Sequence, residues 1–296
     1  MNGCNFDGRR AFVVGGDSGV GSALAPALRG LGAQVMTTTR RKDVHSDNSF
    51  FVDLAQEPKS WELPESVDVS YLCAAITSIA QCEDDSPGTA RINVDQTLTL
   101  AQSLIERGSK IVFISTSLVF AGDVPRVGAD AQVVPQCEYG HQKARVEAAL
   151  LNGDGSVAIL RPSKILTDDF PLLVGWRDQL ENGETISPFA DLIMSPVSIR
   201  MVLGILCQIG ASNAQGIYQI SADQDVSYAE VATHISNLIG CDSALVKPTD
   251  SRSAGVKLFA APSHTTLDSS RVEEELKIPI PSPWVAVEEL IAGSTT

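Results

Sequence analysis

Residues 13–24 read Val-Val-Gly-Gly-Asp-Ser-Gly-Val-Gly-Ser-Ala-Leu, and this stretch decides the fold. The apolar run Ala11–Gly15 predicts a strand, and Gly21–Leu31 has the spacing of a helix. Glycines in the turn between them let the backbone bend sharply and approach a pyrophosphate, which then lies on the N-terminal N–H groups of the helix. Gly15, Asp17, Ser18, Gly19, Val20 and Gly21 are therefore candidate dinucleotide contacts. An ordinary tight strand–helix turn would use the same glycines, so the context carries the reading. Pro26 falls inside the predicted helix, where it removes one backbone donor.

Outward from this turn the pattern repeats. Gln34–Thr39, Phe50–Asp53 and the nearly continuous apolar run Val69–Ala75 predict strands, the last buried on both faces. Ala90–Arg107 predicts one helix ended by Gly108, followed by the strand Lys110–Ser117. Tyr139–Leu151 predicts a helix and Ser156–Leu160 a strand stopped by Arg161-Pro162. Strand and helix in alternation mean an α/β fold, a Rossmann-type doubly wound parallel sheet wrapped by helices. Beyond about residue 165 prolines punctuate the pattern, from Pro171 through the cluster at Pro279–Pro283. Ser198–Ile209 and Ser227–Ile239 still predict helices, the second opened by Ser227 and Glu230 at capping-box spacing, with the short strand Ile217–Ile220 between them. The expected division is a dinucleotide-binding domain over 1–166 and a smaller C-terminal substrate lobe over 167–296, parts of which return to the first domain.

Composition narrows the function. Of 296 residues, 44% are hydrophobic and 20% charged, an ordinary globular balance. The formal net charge of −14 is spread along the chain without a basic block, which argues against nucleic acid and anionic membranes as partners. Six cysteines form no C-x-x-C pair or zinc spacing, and the four histidines are scattered, so no metal is expected. A polar start and an apolar maximum of Met201–Ala211, too short for a membrane span, point to a cytoplasmic protein.

Three more motifs join the glycine turn. The second strand ends in Thr39-Arg40-Arg41, where an NAD-selective site places a carboxylate for the ribose 2′-hydroxyl. Arg40 and Arg41 suit a 2′-phosphate instead, so NADP is expected in preference to NAD. Asp53 and Leu54, after the third strand, are candidate adenine contacts. Tyr139 and Lys143 are four residues apart on a helix and share one face. The ammonium is expected to draw the phenol pKa down towards neutrality, making Tyr139 a usable acid for an oxyanion formed as hydride arrives. Ser115, Thr116 and Ser117 end the fifth strand, at the carboxyl edge where doubly wound sheets bind ligands.

Taken together, VVGGDSGVGSAL (13–24), CAAITSIAQCEDDSP (73–87), INVDQTLTLA (92–101), FISTSLVFAG (113–122), YGHQKARVEAAL (139–150) and LRPSKIL (160–166) resemble the extended short-chain dehydrogenase/reductase superfamily, and within it the dTDP-4-dehydrorhamnose reductase family. The resemblance spans most of the chain and is looser after residue 166. It implies catalytic roles for Thr116, Tyr139 and Lys143, with Lys143 also on the cofactor ribose. It further implies cofactor contacts at Ala74, Ala75 and Ser115, and a structural position for Asn93. Ser117, Arg161, Lys164 and Arg200 are candidate substrate contacts, and Arg177 a further cation. The implied activity is an NADP-dependent reductase or epimerase working on a keto-sugar nucleotide, as a homodimer.

Where the family usually has Thr-Asp-Tyr-Val-Phe, this chain has Thr116-Ser117-Leu118-Val119-Phe120, losing two polar groups expected near the sugar. The substitution also leaves no carboxylate for dehydration chemistry. A non-catalytic dinucleotide-binding regulatory subunit, known in the same family, is the alternative reading.

Overall fold

The computed structural model describes residues 4–42, 48–256 and 258–293. They form two compact units that are not contiguous in sequence. The first contains residues 1–119, 133–161 and 203–218, and the second residues 120–132, 162–202 and 219–296. The chain crosses between these units at five places.

A central sheet carries strands β1 (Arg10–Val14), β2 (Gln34–Thr39), β3 (Ser49–Phe51), β4 (Val69–Leu72), β5 (Lys110–Ile114) and β6 (Val157–Pro162). A seventh strand, Gly216–Ile220, lies beyond β6, giving the spatial order Gly216–Ile220, β6, β5, β4, β1, β2, β3. Neighbours from β3 to β6 all pair in parallel. Parallel pairing demands crossovers, here supplied by α1 (Gly19–Gly30), by the run α2 (Ile79–Asp84), α3 (Ser86–Ala90) and α4 (Thr97–Ile105), and by α5 (Glu138–Leu151). The 3-2-1-4-5-6 strand order is that of a Rossmann-type sheet, whose order reverses between β1 and β4. Phe12, Val14, Leu72, Ile111, Phe113 and Ile159 from the strands pack with Leu100, Leu104, Val146 and Leu150 from the helices into its core.

Several boundaries differ from expectation for local reasons. Helix α1 runs through Pro26, whose side is solvent-exposed, so the lost donor falls on the wet face. The helix expected over Ala90–Arg107 is interrupted by a π-helical segment, Arg91–Gln96, between α3 and α4. The wider turn carries Asn93, which is fixed from outside the helix. Ile76 N–H donates to Asn93 Oδ1 at 2.8 Å, and Asn93 Nδ2 donates to the Ile76 carbonyl at 2.9 Å. Strand β5 stops at Ile114, three residues early, because Ser117–Val119 turn into a 3-10 helix.

The second unit packs helices Pro171–Glu181, Tyr228–Leu238 and Pro283–Gly293 around Leu173, Trp176, Leu180, Val231, Ile235, Val287 and Leu290. Ser227 and Glu230 form the expected capping box at the start of Tyr228–Leu238.

Back in the first unit, the largest fully buried side chain among the described residues is Arg161 at the end of β6. Its guanidinium donates to both carboxylate oxygens of Glu147 on α5, at 3.0 Å and 3.2 Å from Nε and 2.7 Å from Nη2. Both side chains are at most 3% exposed. Such a pair is expensive to break, because removing one partner leaves a buried charge behind. Glu147→Ala is expected to lower the unfolding free energy by about 3–5 kcal/mol, measured by urea denaturation. The double replacement Glu147→Leu/Arg161→Met should recover most of that loss, and equal losses in both variants would contradict the account.

Candidate functional site

Three loops leave the carboxyl ends of adjacent strands β1, β4 and β5, and each places residues at the point where strand order reverses. After β1, Gly15 has φ of +85° and its N–H donates to Thr38 Oγ1 at 2.8 Å. A Cβ on Gly15 would stand 2.8 Å from the Ala74 nitrogen, so this loop and the Ala74–Ala75 segment after β4 touch backbone to backbone. A Cβ on Gly21 would run into the Gly15 carbonyl, which lets α1 start immediately against the turn. Ser18 caps α1 by accepting from Gly21 N–H at 3.0 Å. Glycine at these positions packs the turn against Ala74 and starts α1 at once, leaving the N-terminus of the helix at the turn, a place suited to a pyrophosphate.

Asp17 projects from the turn towards the end of β2, accepting from Thr39 Oγ1 at 3.1 Å, while Arg41 Nη2 lies 3.8 Å from its other oxygen. Arg40 is exposed beside them. Asp53 is turned inward on its own loop: its carboxylate accepts from Ala55 N–H and Gln56 Nε2, at 3.0 Å and 3.1 Å. Leu54 is buried in the core.

After β5, Ser115 is buried and its Oγ has no hydrogen-bond partner among the described residues. That is an orphan polar atom at the sheet's ligand edge. Thr116 Oγ1 accepts from Leu118 N–H at 3.2 Å and closes the Ser117–Val119 turn. Helix α5 approaches this turn so closely that a Cβ on Gly140 would meet the Leu118 carbonyl. Glycine next to Tyr139 is what permits the approach.

Tyr139 and Lys143 both point inward from α5, with the Lys143 ammonium 5.8 Å from the Tyr139 ring centroid. Lys143 Nζ donates to the Ile114 carbonyl at 2.7 Å and lies 4.5 Å from the Phe113 ring centroid. The expected depression of the phenol is overturned. Burial pushes the Tyr139 pKa up, with smaller contributions from Cys82 and Cys137 in the same direction. Burial also lowers the Lys143 pKa to about 8, only partly opposed by Cys73, Glu147 and Cys82. Helical spacing brought the two groups together, and desolvation decided their protonation.

Arg161 is a second correction. It was expected at the substrate, but its guanidinium is committed to Glu147 inside the first unit and has almost no exposed surface. Lys164 and Arg200 belong to the second unit, where Lys164 Nζ sits 4.9 Å from the Phe170 ring centroid and Arg200 is exposed on a helix. Arg177 is paired with its neighbour Asp178.

Two contributors escaped the sequence reading. Thr38, in the Thr37-Thr38-Thr39 run that ends β2, anchors the glycine turn, a role its place in that run did not reveal. Gln142, fully buried beside Lys143, accepts from Asn93 Nδ2 at 2.7 Å and donates to Thr89 and Glu138. The polar residue on the inner face of α5 was its only signal. Among the described residues no His, Cys, Asp and Glu cluster could hold a metal ion, and no helix is long and apolar enough to cross a membrane.

Sheet order, glycine cradle and the residues after β4 and β5 define a Rossmann-type α/β protein. More particularly, the chain belongs to the RmlD substrate binding domain family, whose model matches residues 9–295. It is 24% identical to a dTDP-4-dehydrorhamnose reductase of Aggregatibacter actinomycetemcomitans over 289 residues, covering 90% of this chain and 94% of the relative. A solved dTDP-4-dehydrorhamnose reductase from Bacillus anthracis, in complex with NADP, superposes with a TM-score of 0.81 at 20% identity, over 96% of this chain and 99% of that one. MoeE5 in complex with UDP-glucose and NAD superposes at 0.76 and 19% identity, over 97% and 100%.

The Lys143 amine supplies a test of this geometry. An unfolded lysine titrates near about 10.4, against about 8 here. Between those values the unfolded chain holds a proton the native state has lost, so this group's contribution to stability rises with pH. Lys143→Met removes it. The unfolding free energy of the variant relative to wild type is therefore expected to fall by on the order of 2 kcal/mol between pH 7 and pH 10. A constant difference would mean that Lys143 does not titrate as a buried amine.

Proposed function

We propose that the chain is an NADP-dependent reductase of the extended short-chain dehydrogenase type, acting on a keto-sugar nucleotide. The observation carrying this reading is the Tyr139–Lys143 pair, docked by Lys143 onto the Ile114 carbonyl beside the unpartnered Ser115 hydroxyl. Gly15, Ser18, Gly19, Val20 and Gly21 would hold the pyrophosphate, Arg40 and Arg41 the 2′-phosphate, and Asp53 and Leu54 the adenine edge. Ala74, Ala75 and Ser115 would line the nicotinamide side. When bound, NADPH supplies a hydride.

The chain's own residues do the rest. The Thr116 hydroxyl orients the substrate carbonyl. Tyr139 Oη gives its proton to the carbonyl oxygen as negative charge develops there. Lys143 binds the cofactor ribose and offsets the phenolate left behind. Ser117, next to Thr116 in the first unit, is the proposed substrate contact there. Burial that raises the phenol pKa keeps Tyr139 protonated at neutral pH, the form a reduction uses. An epimerase would use the same group as base and then acid; the reductases among the chain's relatives favour the reductase.

The test is NADPH oxidation by the purified chain with dTDP- and UDP-linked 4-keto sugars. Wild type is expected to turn over at least one of them. Tyr139→Phe should bind NADPH as wild type does while losing turnover by about 10²-fold or more. Unchanged turnover in Tyr139→Phe would remove the proposed acid. Dinucleotide binding without turnover on any keto-sugar nucleotide would favour the non-catalytic reading.

A further inference from the structure

Selectivity between the two nicotinamide dinucleotides is decided at the end of the second strand, where the ribose 2′ group is read. In this chain the strand ends in Thr39-Arg40-Arg41 with no acid of its own. The fold nevertheless delivers a carboxylate there. Asp17, from the glycine turn, accepts from Thr39 Oγ1 at 3.1 Å. Arg41 closes the arrangement twice: its N–H donates to the same Thr39 oxygen at 3.2 Å, and its Nη2 lies 3.8 Å from Asp17 Oδ1. The acceptor that favours a 2′-hydroxyl and the cation that favours a 2′-phosphate are thus held against each other.

We infer that Asp17 and Arg41 form a charge-exchange filter that tempers the cofactor preference set by the arginines. The inference rests on the proposed dinucleotide site. A 2′-hydroxyl leaves the pair intact and donates to the Asp17 carboxylate. A 2′-phosphate carries about −1.5 to −2 charges; it must draw Arg41 away from Asp17 and then sit beside a like charge. Discrimination is a difference of affinities, and Asp17 is the repulsive element in it. The two arginines alone would predict strong rejection of NADH; the filter predicts that wild type binds both cofactors, with NADPH ahead by about tenfold or less.

A merely structural role would look different. The pair is largely wet, with Arg41 66% and Asp17 50% exposed, so it contributes little to folding. The cap that starts α1 comes from Ser18, not Asp17. Asp17→Asn should therefore fold as wild type does and act only on the ratio of the two affinities.

The experiment titrates wild type, Asp17→Asn, Arg41→Gln and the double variant with NADPH and NADH by fluorescence, and with 2′,5′-ADP and 5′-AMP by calorimetry. Asp17→Asn is expected to raise the phosphorylated-to-unphosphorylated affinity ratio by about fivefold. Arg41→Gln should lower it by a similar factor. In the double variant the Asp17 effect should shrink, because the two residues act on each other. Higher salt should compress all these differences. If both cofactors bind and Asp17→Asn leaves the ratio unchanged, the filter is wrong and the dinucleotide reading survives. If neither dinucleotide binds wild type, the dinucleotide reading falls, and the filter with it.

Discussion

The 2.7 Å hydrogen bond from the Lys143 ammonium to the Ile114 carbonyl joins helix α5 to the end of strand β5 in a place with almost no water. A charge in such surroundings is tolerable only if it is held by fixed dipoles, or if it gives up its proton. Lys143 does some of each: the carbonyl and the Phe113 ring face it, and its pKa falls to about 8. Four residues further on, Glu147 is buried on the same face and held by Arg161 from β6. Four residues earlier stands Tyr139. Helix α5 thus lays phenol, ammonium and carboxylate along one inner stripe, and strands β5 and β6 supply what the second and third require. The first is left without a strong partner among the described residues, at the edge where ligands bind.

This polar stripe explains why the fold was more legible than the site. Alternating apolar strands and helical stripes announced the parallel sheet, because strand burial on both faces writes continuous runs such as Val69–Leu72 into the sequence. Glycines announced the first turn for the same kind of reason, since only they fit against Ala74 and the Gly15 carbonyl. The π-helical interruption left no trace in a 3.6-residue period, and the Asn93 contacts that accompany it reach a segment 17 residues away. Arg161 was misread because a strand-end arginine looks the same in sequence whether it faces a ligand or a buried glutamate. Tyr139 and Lys143 were correctly placed on one face, but spacing carries distance and not dielectric, so the direction of the phenol shift was missed.

The same limit applies at the cofactor end. A rule that looks for an acid at the last residue of β2 finds none, yet Asp17 occupies that space from another loop. Selectivity is set by which charges share a volume, and the chain reaches that volume from two elements 22 residues apart in sequence.

On the proposed reading, burial at α5 also bears on the proton transfer. A phenol held in its neutral form is a donor waiting for an acceptor, and reduction of a carbonyl provides one only as negative charge gathers on oxygen. Lys143 lies 5.8 Å from the phenol ring, while burial and the nearby cysteines hold the phenol pKa up. The dry face of α5 therefore stores an acid rather than a base. Reduction leaves a phenolate and oxidation begins from one, so burial burdens the same proton transfer in both directions. The Lys143 ammonium, 5.8 Å from the Tyr139 ring on the same face of α5, is the group placed to offset it.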